Sequence, residues 1–347
     1  MATAKPITIV GGGLAGLTLG IGLRQHGVPV TLWEAGRYPR HRVCGEFVSG
    51  QGQQSLERLG LLQLLENEGA IRAQTVEFCS ATVAGRARQL PQRAVCLPRR
   101  QMDALLAGCF RKLGGELREG QRWRDSTDGE GVVMAGGRRL QPVVDGWRWF
   151  GLKAHATAAA MNADLEMHVL ADGYVGLCRQ PGGVVNVCGL FRRRPASGDA
   201  PMDWEEQLRG PAGSLLRERM RDARFAPDSF CAVAGINLRP QLARRQTDCR
   251  IGDALTMIPP FTGNGMSMAF ESAEMAIEPL AAWSRNKTDW SQARQTIADR
   301  CDAVFAGRLR CAKWLQQMMM IPALQAALVT LTARNEWFWQ TAFGRTR

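Results

Sequence analysis

Ile7-Thr8-Ile9-Val10-Gly11-Gly12-Gly13-Leu14-Ala15-Gly16 is the stretch on which the fold of this chain turns. A run of β-type apolar residues meets three glycines. An apolar-periodic segment follows at Leu14, Leu17, Leu19, Ile21 and Leu23. The pattern predicts strand, tight turn and helix. A second β-like run from Val28 to Trp33 ends at Glu34, 18 residues past Gly16 and close to the spacing of about 20 that places an acid on a ribose. Together these pieces form the unit that seats an adenine dinucleotide. Gly11 allows the turn, Gly13 lets backbone approach a pyrophosphate, and Gly16 lets the helix pack close to the strand. The first helical residues, Leu14 and Ala15, offer N–H groups at the positive end of the helix dipole. The Glu34 carboxylate can accept from ribose hydroxyls and would repel a 2′-phosphate. By itself the motif does not separate FAD from NAD.

The 347 residues suffice for two lobes with sizeable cores. The formal net charge is +12, and five of the 44 basic residues are lysines, so the excess is arginine. Those arginines are scattered and not interleaved with aromatics, which argues against nucleic acid. Ten cysteines occur with no Cys-x-x-Cys and only four histidines, so no metal site is expected. The chain start leads straight into the first strand, which predicts no signal peptide and a cytoplasmic protein with reduced thiols. The apolar stretch from Met318 to Leu331 is too short to span a bilayer, which leaves membrane-surface contact open.

Helical spacing recurs over Leu56–Leu65 and Gln101–Leu113. Residues 74–97 read as short strands, and Glu116–Val144 as hairpins turning at Asp128-Gly129 and Gly136-Gly137. Leu165–Phe191 reads as antiparallel sheet turning at Pro181-Gly182-Gly183. Asp203–Met220 reads as helix and Cys231–Ala234 as strand, and the chain after Asn264 is mostly helical.

A second motif, Cys249-Arg250-Ile251-Gly252-Asp253-Ala254, leads through Pro259-Pro260-Phe261-Thr262-Gly263-Asn264-Gly265-Met266 into a helix. With the first motif it resembles the flavoprotein monooxygenase superfamily, which also holds the geranylgeranyl reductases and flavin-dependent halogenases. The resemblance covers most of residues 5–285. It implies FAD as cofactor, with Gly252 and Asp253 at the ribitol. Gly263, Asn264, Gly265 and Met266 then run beside the flavin, at a helix N-terminus that favours negative charge on the reduced ring. The loop Arg37–Phe47, with Arg42, Cys44 and Glu46, is similar to one that passes near FAD. Within it Cys44 and Glu46 are candidate catalytic groups. Arg100, at a predicted helix start, is the candidate for the family's cofactor-contacting arginine. The implied fold is α/β: a Rossmann-like FAD-binding domain of the GR2 type, interleaved with an antiparallel β-sheet substrate domain and followed by C-terminal helices. The expected allocation is 1–73, 97–164 and 250–285 to the FAD domain, 74–96 and 165–249 to the substrate domain, and 286–347 to the helical end.

The family's central Asp-Gly is matched here to Asp145-Gly146, with the segment after it shortened. That questions a standard NAD(P)H half-reaction, so transient NAD(P)H docking, a partner flavin reductase or the substrate itself are the expected electron sources. Trp147-Arg148-Trp149 is similar to a halogenase motif but incomplete, and core packing is the preferred reading. Abundant tryptophan and methionine suit an apolar or aromatic small-molecule substrate. The activity expected is monooxygenation through a flavin C4a-hydroperoxide. Alternatives are a reductase or dehydrogenase moving hydride at flavin N5, a halogenase, and a non-catalytic flavin-binding protein.

Overall fold

The computed structural model describes residues 4–125, 129–195 and 203–345. The elements, in chain order, are β1 (Ile7–Val10), α1 (Leu14–Gln25), β2 (Val30–Glu34), β3 (Phe47–Val48), α2 (Gln51–Arg58), α3 (Leu62–Asn67), β4 (Ile71–Cys79), β5 (Arg88–Cys96), α4 (Arg99–Lys112), β6 (Glu116–Glu119) and β7 (Val132–Met134). They continue with β8 (Arg148–Thr157), β9 (Leu165–Leu170), β10 (Gly173–Arg179), β11 (Val185–Arg193), α5 (Trp204–Arg209), α6 (Leu215–Arg219), β12 (Arg224–Ala234), β13 (Cys249–Arg250), α7 (Gly265–Ser284), α8 (Trp290–Met319), α9 (Pro322–Arg334) and α10 (Glu336–Arg345).

Alternating burial in β1, with Ile7 and Ile9 fully buried, sets one face of that strand against α1. Helix α1 is buried from Leu14 to Leu23, because a parallel sheet covers one side and α4 and α7 cover others. The sheet runs β13-β7-β1-β2-β6, and every neighbouring pair is parallel. β13 therefore returns to this sheet some 240 residues after β1. The strands expected as hairpins over 116–144 are instead β6 and β7, added in parallel beside β2 and β1. Their short length and flanking glycines mimic a hairpin, but their partners lie far away in sequence. Of the two turns expected there, Asp128 lies outside the described residues, and Gly136-Gly137 follows β7. The helix expected over 56–65 is two helices, parted at Gly60, which has φ +68°.

The second sheet has the order β12-β8-β11-β10-β9-β4-β5-β3 among the described residues. Its pairs are antiparallel except β4 with β9. β8, which the expected allocation gives to the FAD domain, lies between β11 and β12 in this sheet. On one face, Leu152, Ala154 and Ala156 of β8 pack with Val175, Val187 and Leu216. The opposite face looks toward the parallel-sheet lobe and the C-terminal helices. Among the described residues no helix is long and apolar enough to cross a membrane.

Candidate active site

A cavity of about 550 Å³ opens between the two sheets. At one end its wall is the turn after β1. Gly11 has φ +114°, and a Cβ there would fall on the Ala135 carbonyl of the loop after β7. A Cβ on Gly16 would strike the Gly11 carbonyl oxygen, so the first turn of α1 sits directly on the strand exit. Gly13 differs, because a Cβ on it would meet no protein atom within 4 Å. Its open side belongs to the cavity. No side chain caps α1, whose first residues Leu14 and Ala15 line the cavity. The 20-residue helix α7 also begins at the cavity, at Gly265 and Met266, with no side-chain cap. Two positive helix ends thus converge on one space.

Glu34, at the end of β2, is buried and reaches this space. Its carboxylate accepts from Gly12 N–H at 2.8 Å, from Gly36 N–H at 2.7 Å and from Arg40 Nη1 at 2.7 Å. Burial opposes its ionisation. The Arg40 hydrogen bond and the backbone N–H groups outweigh burial and hold its carboxyl down at about 2. Asp253 follows β13 on the opposite wall and lines the cavity. The surrounding protein pushes its carboxyl up to about 6, with Arg99 and Arg138 pulling the other way.

Of the residues singled out in the sequence, Gly11, Gly13, Leu14, Ala15, Glu34, Arg42, Cys44, Asp253, Gly263, Gly265 and Met266 line this single cavity. Gly16, Gly252 and Asn264 stand one layer behind. Gly252 packs on the Ala15 side chain and donates to Ser272 Oγ at 2.9 Å, and Asn264 is buried at the start of α7. Arg100 is displaced from its expected place. Arg99 faces the cavity, in a two-pronged pair with buried Asp103 at 2.8 and 2.9 Å, whereas Arg100 borders a separate small cleft. The phase of α4 explains this: Arg99 lies on the stripe of Met102, Asp103, Leu106 and Phe110, which are all buried. Glu46 is also off the cavity, fully buried, with φ +60°.

Asp145-Gly146 is not at the site. Val144 and Trp147 bridge as a two-residue hairpin on the surface, Asp145 is exposed, and its carboxylate pairs with Arg239 at 2.5 Å. The segment that reaches the cavity behind the parallel sheet is Ala135-Gly136-Gly137-Arg138 after β7. A short strand followed by Gly-Gly was its visible signal. The doubt about NAD(P)H drawn from Asp145 thereby loses its basis. Trp149 is buried, and Trp147 is sandwiched by Arg192 and Arg194 at 4.2 and 4.1 Å, so neither indole faces the cavity.

Residues 4–139 match a protein family described as the FAD binding domain. The matched stretch runs from before β1 to just past β7, so it takes in the glycine turn and Glu34. That match makes FAD the cofactor of this chain. Its fold is shared with p-nitrophenol 4-monooxygenase PnpA from Pseudomonas putida DLL-E4, at a TM-score of 0.76 and 16% identity over 100% of this chain and 99% of that one. The flavin-dependent brominase Bmp2 superposes at a TM-score of 0.73 and 14% identity over 99% and 94% of the two chains. PqsL of Pseudomonas aeruginosa does so at 0.68 and 15% over 94% and 99%. At these identities the likeness is one of fold. No curated protein matches the sequence.

The residues present fit FAD. The open side of Gly13 and the uncapped start of α1 suit the diphosphate, and the Glu34 carboxylate suits the adenosine ribose. The Asp253 carboxylate suits the ribitol hydroxyls. The start of α7 would face the ring, where its dipole favours the charge of the reduced cofactor.

Proposed function

We propose that this flavoprotein is a monooxygenase acting on an apolar, aromatic small molecule. One observation carries the reading: the cavity does not end at the cofactor cradle. The same space runs on beneath the second sheet, where Phe78, Phe261, Met167, Met319, Leu328 and Trp339 line it. The Phe78 ring stands 5.9 Å from Phe261 and 5.8 Å from Trp339. Such a wall takes up a flat aromatic by burial and edge-to-face contact.

Bound FAD would supply oxygen activation and electron transfer. The chain's own residues hold and shelter that chemistry. Gly11 to Ala15, Glu34 and Asp253 bind the cofactor. The apolar wall excludes water from the far end of the cavity, as an oxygen-inserting site requires. Met319, Leu328 and Trp339 come from α8, α9 and α10, so the C-terminal helices close the substrate end. Arg99, paired with Asp103, keeps a fixed positive charge beside Asp253.

The reading is tested by loading the protein with FAD, reducing it with light, and mixing it with oxygen in a stopped-flow instrument. A transient absorbance distinct from oxidised and reduced FAD, with an oxygenated product from a phenol such as p-nitrophenol, supports monooxygenation. Direct return to oxidised FAD with no transient and no product would overturn it in favour of a hydride-transferring reductase. A brominated phenol formed when bromide is present would overturn it in favour of a halogenase.

A further inference from the structure

Behind the cavity wall lies a set of ionisable side chains that cofactor binding does not use. Lys153 of β8 is fully buried, with Nζ 3.2 Å from Glu46 Oε1 and 3.0 Å from His41 Nδ1. His155, two residues on and on the same face of the strand, holds Glu46 Oε2 at 2.7 Å through Nε2. The Arg99 backbone N–H donates to Glu46 Oε1 at 3.0 Å. Sheet register places Cys231 and Cys188 on either side of Lys153, and Asn186 beside His155. A buried lysine and a fully buried glutamate in a left-handed conformation are costly to keep. Their position suggests a use. His41 borders the large cavity, and both His41 and His155 border the small outer cleft of about 170 Å³ that also touches Arg100. The set bridges two compartments.

We infer that His155, Glu46, Lys153 and His41 form a path that carries protons from the outer cleft through the wall into the large cavity. His41 gives the proton on Nε2 to an acceptor in the cavity and takes one at Nδ1 from the Lys153 ammonium. Lys153 regains its proton from Glu46 after the carboxyl rotates, Glu46 having received it from His155 Nε2. His155 takes a proton at Nδ1 from water in the cleft. One proton leaves the solvent and one arrives in the cavity. All four groups recover their charge, and a flip of each imidazole ring turns its N–H toward the next acceptor and its bare nitrogen toward the next donor. Burial, with the Lys153 charge and the neighbouring His155, pulls His41 down to about 4, so it stays neutral and able to accept. Burial opposes the Glu46 charge, but the His155 hydrogen bond and Lys153 hold its carboxyl below the usual range. Other titratable or charged groups around the set include Arg99, Arg100, Cys44, Cys178, Cys188 and Cys231. What the proton serves rests on the proposed function, since flavin reoxidation by oxygen takes up protons; the path itself does not.

Two measurements on the full-length protein decide it. The first is exchange of the Lys153 ammonium protons with water by nitrogen-15 NMR, with or without FAD. His155→Asn, and His155→Gln as a second variant, is expected to slow that exchange at least about tenfold, with added imidazole restoring it through the cleft. The second is reoxidation of photoreduced, FAD-loaded protein in H₂O and D₂O. The same variants are expected to slow it and raise the solvent isotope effect while FAD affinity holds. Unchanged exchange in both variants, or slowed exchange that imidazole does not rescue, would overturn the path and leave the set a structural ion cluster. A protein that binds no FAD would overturn the proposed function instead, and the exchange measurement would still decide the path.

Discussion

At the cofactor end of the cavity the wall is largely backbone: the turn from Gly11 to Gly16, the N-termini of α1 and α7, and the loop from Ala135 to Gly137. At the substrate end it is side chain, from Phe78 on β4, Met167 on β9, Leu328 on α9 and Trp339 on α10. A backbone wall restricts the residue type at each position, because one Cβ in the wrong place meets a carbonyl. A side-chain wall restricts only volume and polarity, which many sequences satisfy. The first end suits one fixed ligand, and the second sets fewer limits on what it takes.

The largest effect that tests this contrast comes from two glycines three residues apart. Gly16→Ala places a Cβ on the Gly11 carbonyl and forces α1 away from β1. It is expected to cost about 3 kcal/mol or more, the range of strained or overpacked buried backbone sites, with FAD binding lost. Gly13→Ala meets no protein atom, so the melting temperature should hold while FAD binds at least about tenfold more weakly. Equal loss of stability in both variants, by thermal melts without FAD, would break the contrast.

Next come the two carboxylates of the cradle. Asp253→Asn should weaken FAD binding by about 10- to 100-fold, the worth of hydrogen bonds to a charged acceptor. The pH dependence carries the sign. The free carboxyl titrates near 6, and a ligand that donates to it favours the ionised form. FAD affinity should therefore rise as pH increases toward that value and flatten above it, and Asp253→Asn should abolish the slope. Titration of FAD fluorescence against protein at a series of pH values measures both. Glu34 acts on the fold as well as on the ligand. Its carboxyl lies at about 2 in the folded chain against an ordinary 4.5. Its contribution is complete above pH 4.5 and is lost as pH falls toward 2, on the order of 3 kcal/mol. Glu34→Gln should flatten that part of the acid-unfolding profile.

The same contrast governs how much was legible in the sequence. Gly11, Gly13, Gly16 and Glu34 could be assigned because a contiguous strand-turn-helix-strand fixes their places. Asp253 could be added because a second local pattern repeats that logic. Arg99 was missed by one residue, although the buried stripe from Met102 to Phe110 held the phase of α4. β6 and β7 were misread because four- and three-residue strands carry turn signals but no trace of a parallel partner. Lys153 left a signal that was not taken up: a lysine within Phe150-Gly151-Leu152-Lys153-Ala154, in a strand buried on both faces. The meeting of Phe78, Met319 and Trp339 left none, because β4, α8 and α10 are joined only by tertiary packing.

The smallest effect probes that side-chain wall. Phe78→Leu keeps an apolar group of similar reach, so it should cost less than about 1.5 kcal/mol. Its ring contacts are with the side chains of Phe261 and Trp339, and FAD affinity should change less than about twofold. What it removes is the ring that faces both Phe261 and Trp339. An aromatic edge contact is worth about 0.5–1.5 kcal/mol beyond area burial, so binding of a phenol should weaken by about two- to tenfold relative to an aliphatic ligand of equal volume. A shift in that ratio with FAD binding unchanged would show the two ends of the cavity acting separately. A parallel loss of FAD affinity would mean that the wall beneath the second sheet shapes the cradle as well, and that the division between backbone and side chain does not divide the function.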